Sequence, residues 1–206
     1  MNGAGDPSAD IFMVAVIVLY WVLLGNWIGT QSRQDDDKAE HKDARAEEGS
    51  GSVETTAIPS VPVGIIREID RNFNAAAFLA DTQAAYEAVL RAYAEGDIGT
   101  LKRFVGPDVF NTFGRAIQDR RERQQTLHLT FIGMRKAEIA NAVKKGGFIE
   151  AGVRFIADVV TATRSADGMI VAGDAQQIVE VADAWTFAAE IGARNLDWKL
   201  VATDSF

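Results

Sequence analysis

Val179-Glu-Val-Ala-Asp183-Ala-Trp185-Thr-Phe187 is the stretch from which the fold is read. Its odd positions carry Val179, Val181, Asp183, Trp185 and Phe187, and its even positions carry smaller or polar side chains. Alternation at period two, with β-branched and aromatic residues, marks a strand with one face in a core. The turn-like Gly192-Ala-Arg-Asn195 follows, and Trp198-Lys-Leu-Val-Ala-Thr203 reads as a second strand. Two tryptophans and a phenylalanine carry more apolar area than a free hairpin can hide, so other elements must cover them.

Working back from this hairpin, Ile149, Ala151, Val153, Phe155, Ala157 and Val159 alternate with Glu150, Gly152, Arg154, Ile156, Asp158 and Val160. This is the cleanest strand pattern in the chain. Asp167-Gly168 marks a tight turn after it, and Lys144-Lys-Gly-Gly147 marks one before it. Leu127, Leu129 and Phe131 alternate with His128, Thr130 and Ile132 in an earlier strand. Before Thr126 the period changes to that of helices, from Ile65 onward. Phe78, Leu79, Tyr86, Val89, Leu90 and Tyr93 share one face, with Gly96 as the stop. Asp97 or Thr100 opens a short turn, and Gly106-Pro107-Asp108 starts a second amphipathic helix through Val109, Phe110, Phe113, Ala116 and Ile117. Helices followed by a meander of strands give an α+β domain.

The N-terminal third has a different character. Residues 1–10 are short and acidic, and Ile11 to Thr30 reads IFMVAVIVLYWVLLGNWIGT without a charge. As a helix this run spans roughly 30 Å, the thickness of a bilayer's hydrocarbon core. No basic residue precedes it, so it is read as a retained anchor and not a cleaved signal peptide. Arg33, Lys38, Lys42 and Arg45 follow it, and the positive-inside rule then puts the C-terminal domain in the cytoplasm and residues 1–10 outside. Gly25 and Gly29 form a small-xxx-small pair through which two such helices can pack as a homodimer. Residues 31–63 are dense in mixed charge, then Gly-Ser, then Pro59 and Pro62, as in a flexible acidic linker. The soluble domain is expected to fill residues 64–206.

The chain of 206 residues has a formal net charge of −8. Of its 21 cations and 29 acids, four cations and ten acids lie before Gly64, which leaves 17 and 19 in the domain. A nearly neutral domain has no basic surface for phosphates, so nucleic acid is not an expected partner. With no cysteine, the chain has no disulfide, thiol nucleophile or cysteine-ligated zinc, and two histidines offer little for a metal site. No phosphate loop, dinucleotide fingerprint or nucleophile elbow is present, and no cofactor is implied. Arg115, Arg120, Arg121 and Arg123 make the most basic patch: a solvated helix end, or a contact for an acidic partner or lipid headgroups. Asp183 and Trp185 are pocket candidates, because a carboxylate in an apolar row is either a structural hydrogen-bonding group or a general base.

The strings AAYEAVLRAYAEGDIGTLKRFVGPDVFNTFGRAIQDR (84–120), VRFIADVVTATRSADGMIVAGDAQQIVEVADAWTF (153–187) and RNLDWKLVAT (194–203) resemble the Tim44-like domain family. The resemblance covers about residues 70–203. It implies an NTF2-like (cystatin-like) cone, with N-terminal helices packed in a curved antiparallel sheet. It also implies a bacterial arrangement of one anchor and a variable linker ahead of the domain. Members are inner-membrane-associated adaptors, including a scaffold of the mitochondrial protein-import motor, and the resemblance implies no enzymatic activity. Where it implies Arg-Gly-Gln after the second helix, this chain has Arg123-Gln124-Gln125. The segment Ala188–Ala193 lacks the basic residues it implies there.

The expectation is an adaptor tethered to the inner membrane, binding membrane proteins or lipid in protein translocation or membrane-protein biogenesis. Its contacts are expected at Ile65, Ile66, Phe73 and Phe78 and at the arginine patch. The alternative is a small-molecule-binding or isomerase-type NTF2-like domain that uses Asp183 and a neighbouring tyrosine.

Overall fold

A computed structural model describes residues 60–193 and 196–205. The expected anchor at 11–30, the Gly25–Gly29 pair and the linker up to residue 59 lie outside the described residues. Among the described residues no helix is long and apolar enough to cross a membrane. Four helices precede four strands: α1 Ser60–Arg67, α2 Ala75–Glu95, α3 Ile98–Phe104, α4 Pro107–Glu122, β1 Thr126–Lys145, β2 Phe148–Arg164, β3 Ile170–Glu190 and β4 Lys199–Ser205. α1 crosses the expected boundary at Gly64, because proline is tolerated in a first turn and Val63 and Ile66 are buried against the sheet.

Local chemistry sets the helix limits. The Asn74 side chain accepts from the Ala76 and Ala77 N–H groups, and Gly96 closes α2 in the left-handed conformation with φ 70°. Asp97 then caps α3 through the Thr100 N–H at 3.0 Å. Gly106 sits flush against β4, its N–H donating to the Leu200 carbonyl at 2.7 Å. Pro107 follows in the first turn of α4.

The strands form one antiparallel sheet in the order β1-β2-β3-β4. The inward row of β2 is the one its alternation predicts: Ile149, Ala151, Val153, Phe155, Ala157 and Val159 are all buried. β1 runs much further than its readable alternation. After Phe131 its inward residues are Met134, Ala137, Ile139 and Ala142, opposite Ala157, Phe155, Val153 and Ala151. The steps of three coincide with register shifts at Phe131/Gly133, Met134/Lys136 and Ile139/Asn141. Each bulge adds a residue and bends the strand, so the sheet curves and the period-two pattern is lost in the same places.

β3 carries a larger irregularity. Val159 pairs with Val179, and Thr161 already pairs with Asp174. Gly173 enters this bulge at φ 74°, where an added Cβ would lie 2.3 Å from the Thr161 carbonyl oxygen. Gln124, at φ 53°, is the one non-glycine residue in the left-handed region among the described residues, and it stands where the resemblance implies glycine.

Two substitutions should therefore move stability in opposite directions. Gln124→Gly relieves a left-handed side chain and is expected to gain about 1 kcal/mol. Gly173→Ala adds strain and a backbone clash, with an expected loss of roughly 3 kcal/mol. Urea denaturation midpoints of the two variants beside the parent check both signs.

Candidate functional site: an aromatic groove and a buried carboxyl–phenol pair

The groove grows from the segment between α1 and α2. Asn72 donates its backbone N–H to Asp70 Oδ1 at 2.9 Å, which turns the chain and lets Phe73 fold inward ahead of the Asn74 cap. Phe73 meets Phe78 at 5.4 Å between ring centroids, and Phe78 meets Trp198 at 4.9 Å and Phe187 at 6.3 Å. One side of α2 (Ala77, Phe78, Asp81, Thr82, Ala85) faces the connection between β3 and β4 across a groove of about 810 Å³. Phe104 from α3 completes an apolar lining, and Asp70, Arg71, Asp81, Arg103, Asp197 and Lys199 supply charge around it.

Several of these charges are already engaged. Lys199 Nζ donates to the Arg103 carbonyl at 2.7 Å and meets Asp197 at 3.1 Å, and Arg103 donates to Thr100 Oγ1. Arg71 and Asp81 have no polar partner among the described residues. The groove lining contains no histidine, tyrosine, serine or cysteine. Its lining suits an apolar group beside a mixed-charge rim, and the Thr82 hydroxyl within it donates to the Leu79 carbonyl at 3.0 Å.

The second feature lies further along α2 and β3. Tyr86 Oη donates to Asp183 Oδ2 at 2.5 Å, both residues being buried. The Tyr86 ring packs at a tilt against Trp185 at 4.5 Å and Phe155 at 4.8 Å and meets Phe131 at 6.3 Å. Burial pushes the Asp183 carboxyl up to about 6, with the Tyr86 hydrogen bond pulling the other way. Burial, then the Asp183 charge and hydrogen bond, raise the phenol far above its ordinary range. The Trp185 indole N–H is buried without a partner among the described residues.

The candidate residues therefore separate. Asp183 and Trp185 belong to the packed interface of α2 with the sheet and do not line the groove. Phe73 and Phe78 do line it, whereas Ile66 is fully buried in the core and Ile65 is packed partly against it. In the arginine patch, Arg120 donates to the carbonyls of Tyr93 and Ala94 at 2.7 and 3.0 Å and lies 5.0 Å from the Tyr93 ring. Arg121 donates to the Gly96 carbonyl at 3.0 Å. These two guanidiniums satisfy the C-terminal carbonyls of α2 and complement its dipole. Arg115 and Arg123 stay exposed. Trp198, Phe104, Arg71 and Asp81 were not among the sequence candidates, because the groove joins segments far apart in the chain.

Residues 63–205, from the first helix to the last strand, match the family described as Tim44-like domain. The chain belongs to the Tim44-like domain family. Among solved structures it is similar to the intermembrane space region of the chloroplast protein ARC6, at 5% identity. That overlap covers 62% of this chain and 95% of that one, with a TM-score of 0.43. TsrD from Streptomyces laurentii overlaps 54% of this chain and 80% of its own, at 20% identity and a TM-score of 0.24. Neither overlap is close enough to carry an argument. No curated protein matches the chain. In this Tim44-like domain, the groove and the Tyr86–Asp183 pair share α2 and β3 without sharing a side chain.

The pair should give stability a definite pH dependence. The folded carboxyl, at about 6, lies above its unfolded value of 3.8, so between those pH values the folded chain binds more protons. Stability should fall as pH rises from about 4 to about 6, by roughly 2–3 kcal/mol in total. Asp183→Asn keeps an acceptor for Tyr86 and should flatten the profile in that window. Parallel profiles for parent and variant would show that another group titrates.

Proposed function

We propose that this chain is an inner-membrane-tethered adaptor whose Tim44-like domain holds an apolar segment of a membrane-protein partner in the aromatic groove. The observation that carries this reading is the groove itself: Phe73, Phe78, Phe187 and Trp198 converge beside a rim of both charge signs. Aromatic anchors with a polar surround are the make-up of binding sites at which a few side chains supply most of the affinity.

In this reading residues 11–30 anchor the chain in the lipid of the inner membrane, with the N-terminus outside and the NTF2-like cone in the cytoplasm. The acidic linker of about 30 residues has a root-mean-square reach of roughly 30 Å, so the groove samples the membrane surface at high effective concentration. A role in protein translocation or membrane-protein biogenesis follows from such placement. Membership of the Tim44-like family and the aromatic lining favour this adaptor reading over an isomerase-type one. The buried carboxyl–phenol pair is spent on joining α2 to β3.

The test is photocrosslinking in native membranes with a reactive group at Leu196, beside the groove. Trp198→Ala in the full-length chain should lower the crosslinked yield of the same membrane protein at least tenfold. A truncation starting at Pro59, which keeps all of α1, should retain the crosslink at higher concentration. Unchanged yield from Trp198→Ala would move recognition out of the groove.

A further inference from the structure

β3 runs for 21 residues, but β4 pairs with it only from Asp183 to Ala188. Among the described residues, no strand covers the flank of β3 away from β2 between Ile170 and Ala182. Open edges invite pairing, and proteins usually blunt them with bulges and lysines. The opposite edge of the sheet follows that practice: β1 has three register shifts and carries Arg135, Lys136, Lys144 and Lys145.

The β3 edge does not. No lysine or arginine occurs from Ser165 to Phe187. Instead Met169 (64% exposed), Ile170 (45%), Val171 (47%) and Ile178 (56%) crowd this end of the sheet. The bulge after Asp174 divides the edge into two short runs, Ile170–Gly173 and Val179–Ala182. The exposed charges beside them are acidic: Asp174 and Glu180 on β3, and Asp204 at the end of β4. Glu180 meets Arg135 of β1 at 3.1 Å, and Asp174 and Asp204 have no cationic partner among the described residues.

A second copy of this chain would fit poorly, because two-fold pairing of β3 edges sets acid against acid near the axis. We propose that the β3 edge between Ile170 and Ala182 accepts an extended segment of a partner protein in which apolar residues alternate with lysine or arginine. Strand addition satisfies the free backbone groups, Val171 and Ile178 take the apolar side chains, and Asp174 and Asp204 take the cations. This docking surface is separate from the groove and does not depend on it.

The probe is a twelve-residue peptide alternating valine and lysine, titrated against the full-length chain in detergent, with a valine–glutamate peptide as the control. Amide exchange should slow at Val179–Ala182 and Ile170–Gly173 and remain unchanged along α2. Ile178→Lys and Asp174→Lys both alter exposed residues, and each should weaken binding at least tenfold, whereas Val61→Lys should not. Equal binding of the glutamate peptide would overturn the proposal. So would protection confined to the groove, or loss of the edge to self-association as seen by light scattering. The chain has no cysteine, so Ile178→Cys and a cysteine-bearing peptide give an independent check by disulfide trapping.

Discussion

The contact on which the rest of this domain depends is made by Tyr86. Its ring reaches Phe131 on β1, Phe155 on β2 and Trp185 on β3, so one helical side chain touches three strands. Aromatic pairs of this kind add about 0.5–1.5 kcal/mol each beyond area burial. Its hydroxyl must also be satisfied in that dry setting, and Asp183 is the group that does it. The pair fixes both the rotation of α2 and its depth on the sheet. Fixing α2 at Tyr86 also fixes Phe78 and Thr82, the preceding turns, which form one wall of the groove. The groove thus inherits its shape from a contact that does not line it.

A flat sheet cannot meet one tyrosine from three strands while also burying Val89, Leu90 and Tyr93 further along the same helix. The bulges of β1 supply the bend. They also explain what the sequence shows and what it conceals. β2 has no extra residue opposite β1, and its alternation is readable from Ile149 to Val159. β1 loses its period after Phe131, so Ile139 and Ala142 cannot be assigned to the core by alternation although both are buried. The helix ends at Gly96, Asp97 and Pro107 are legible because each rests on a local device, whereas the Asn74 cap and the start of α1 at Ser60 are not read from the sequence.

The candidate site was less legible, for a different reason. Phe73 and Phe78 are visible as apolar helical residues, but nothing local says that Trp198, over a hundred residues away, closes on them. The arginine patch shows the converse. Four cations near a helix end suggest a surface for anions, yet Arg120 and Arg121 are bound to the last carbonyls of α2. Composition reports charge, and only the packing reports whether that charge is free. Asp183 lies between these cases. Its apolar row marks it as unusual in the sequence, whereas its partner Tyr86 comes from an α2 position read only as core.

β3 connects these features and separates their duties. Phe187 faces the groove, Trp185 and Asp183 lock the helix, and Ile178 lies on the open edge. The nine residue steps from Ile178 to Phe187 span about 30 Å, too far for one short peptide side chain to reach both ends. An extended partner segment on the edge and an apolar anchor in the groove would therefore be separate events that share no contact. For the tethered adaptor we propose, such an arrangement is useful. Two modest sites on one body multiply their effect when a single partner engages both, and losing either one returns the partner to a single modest site.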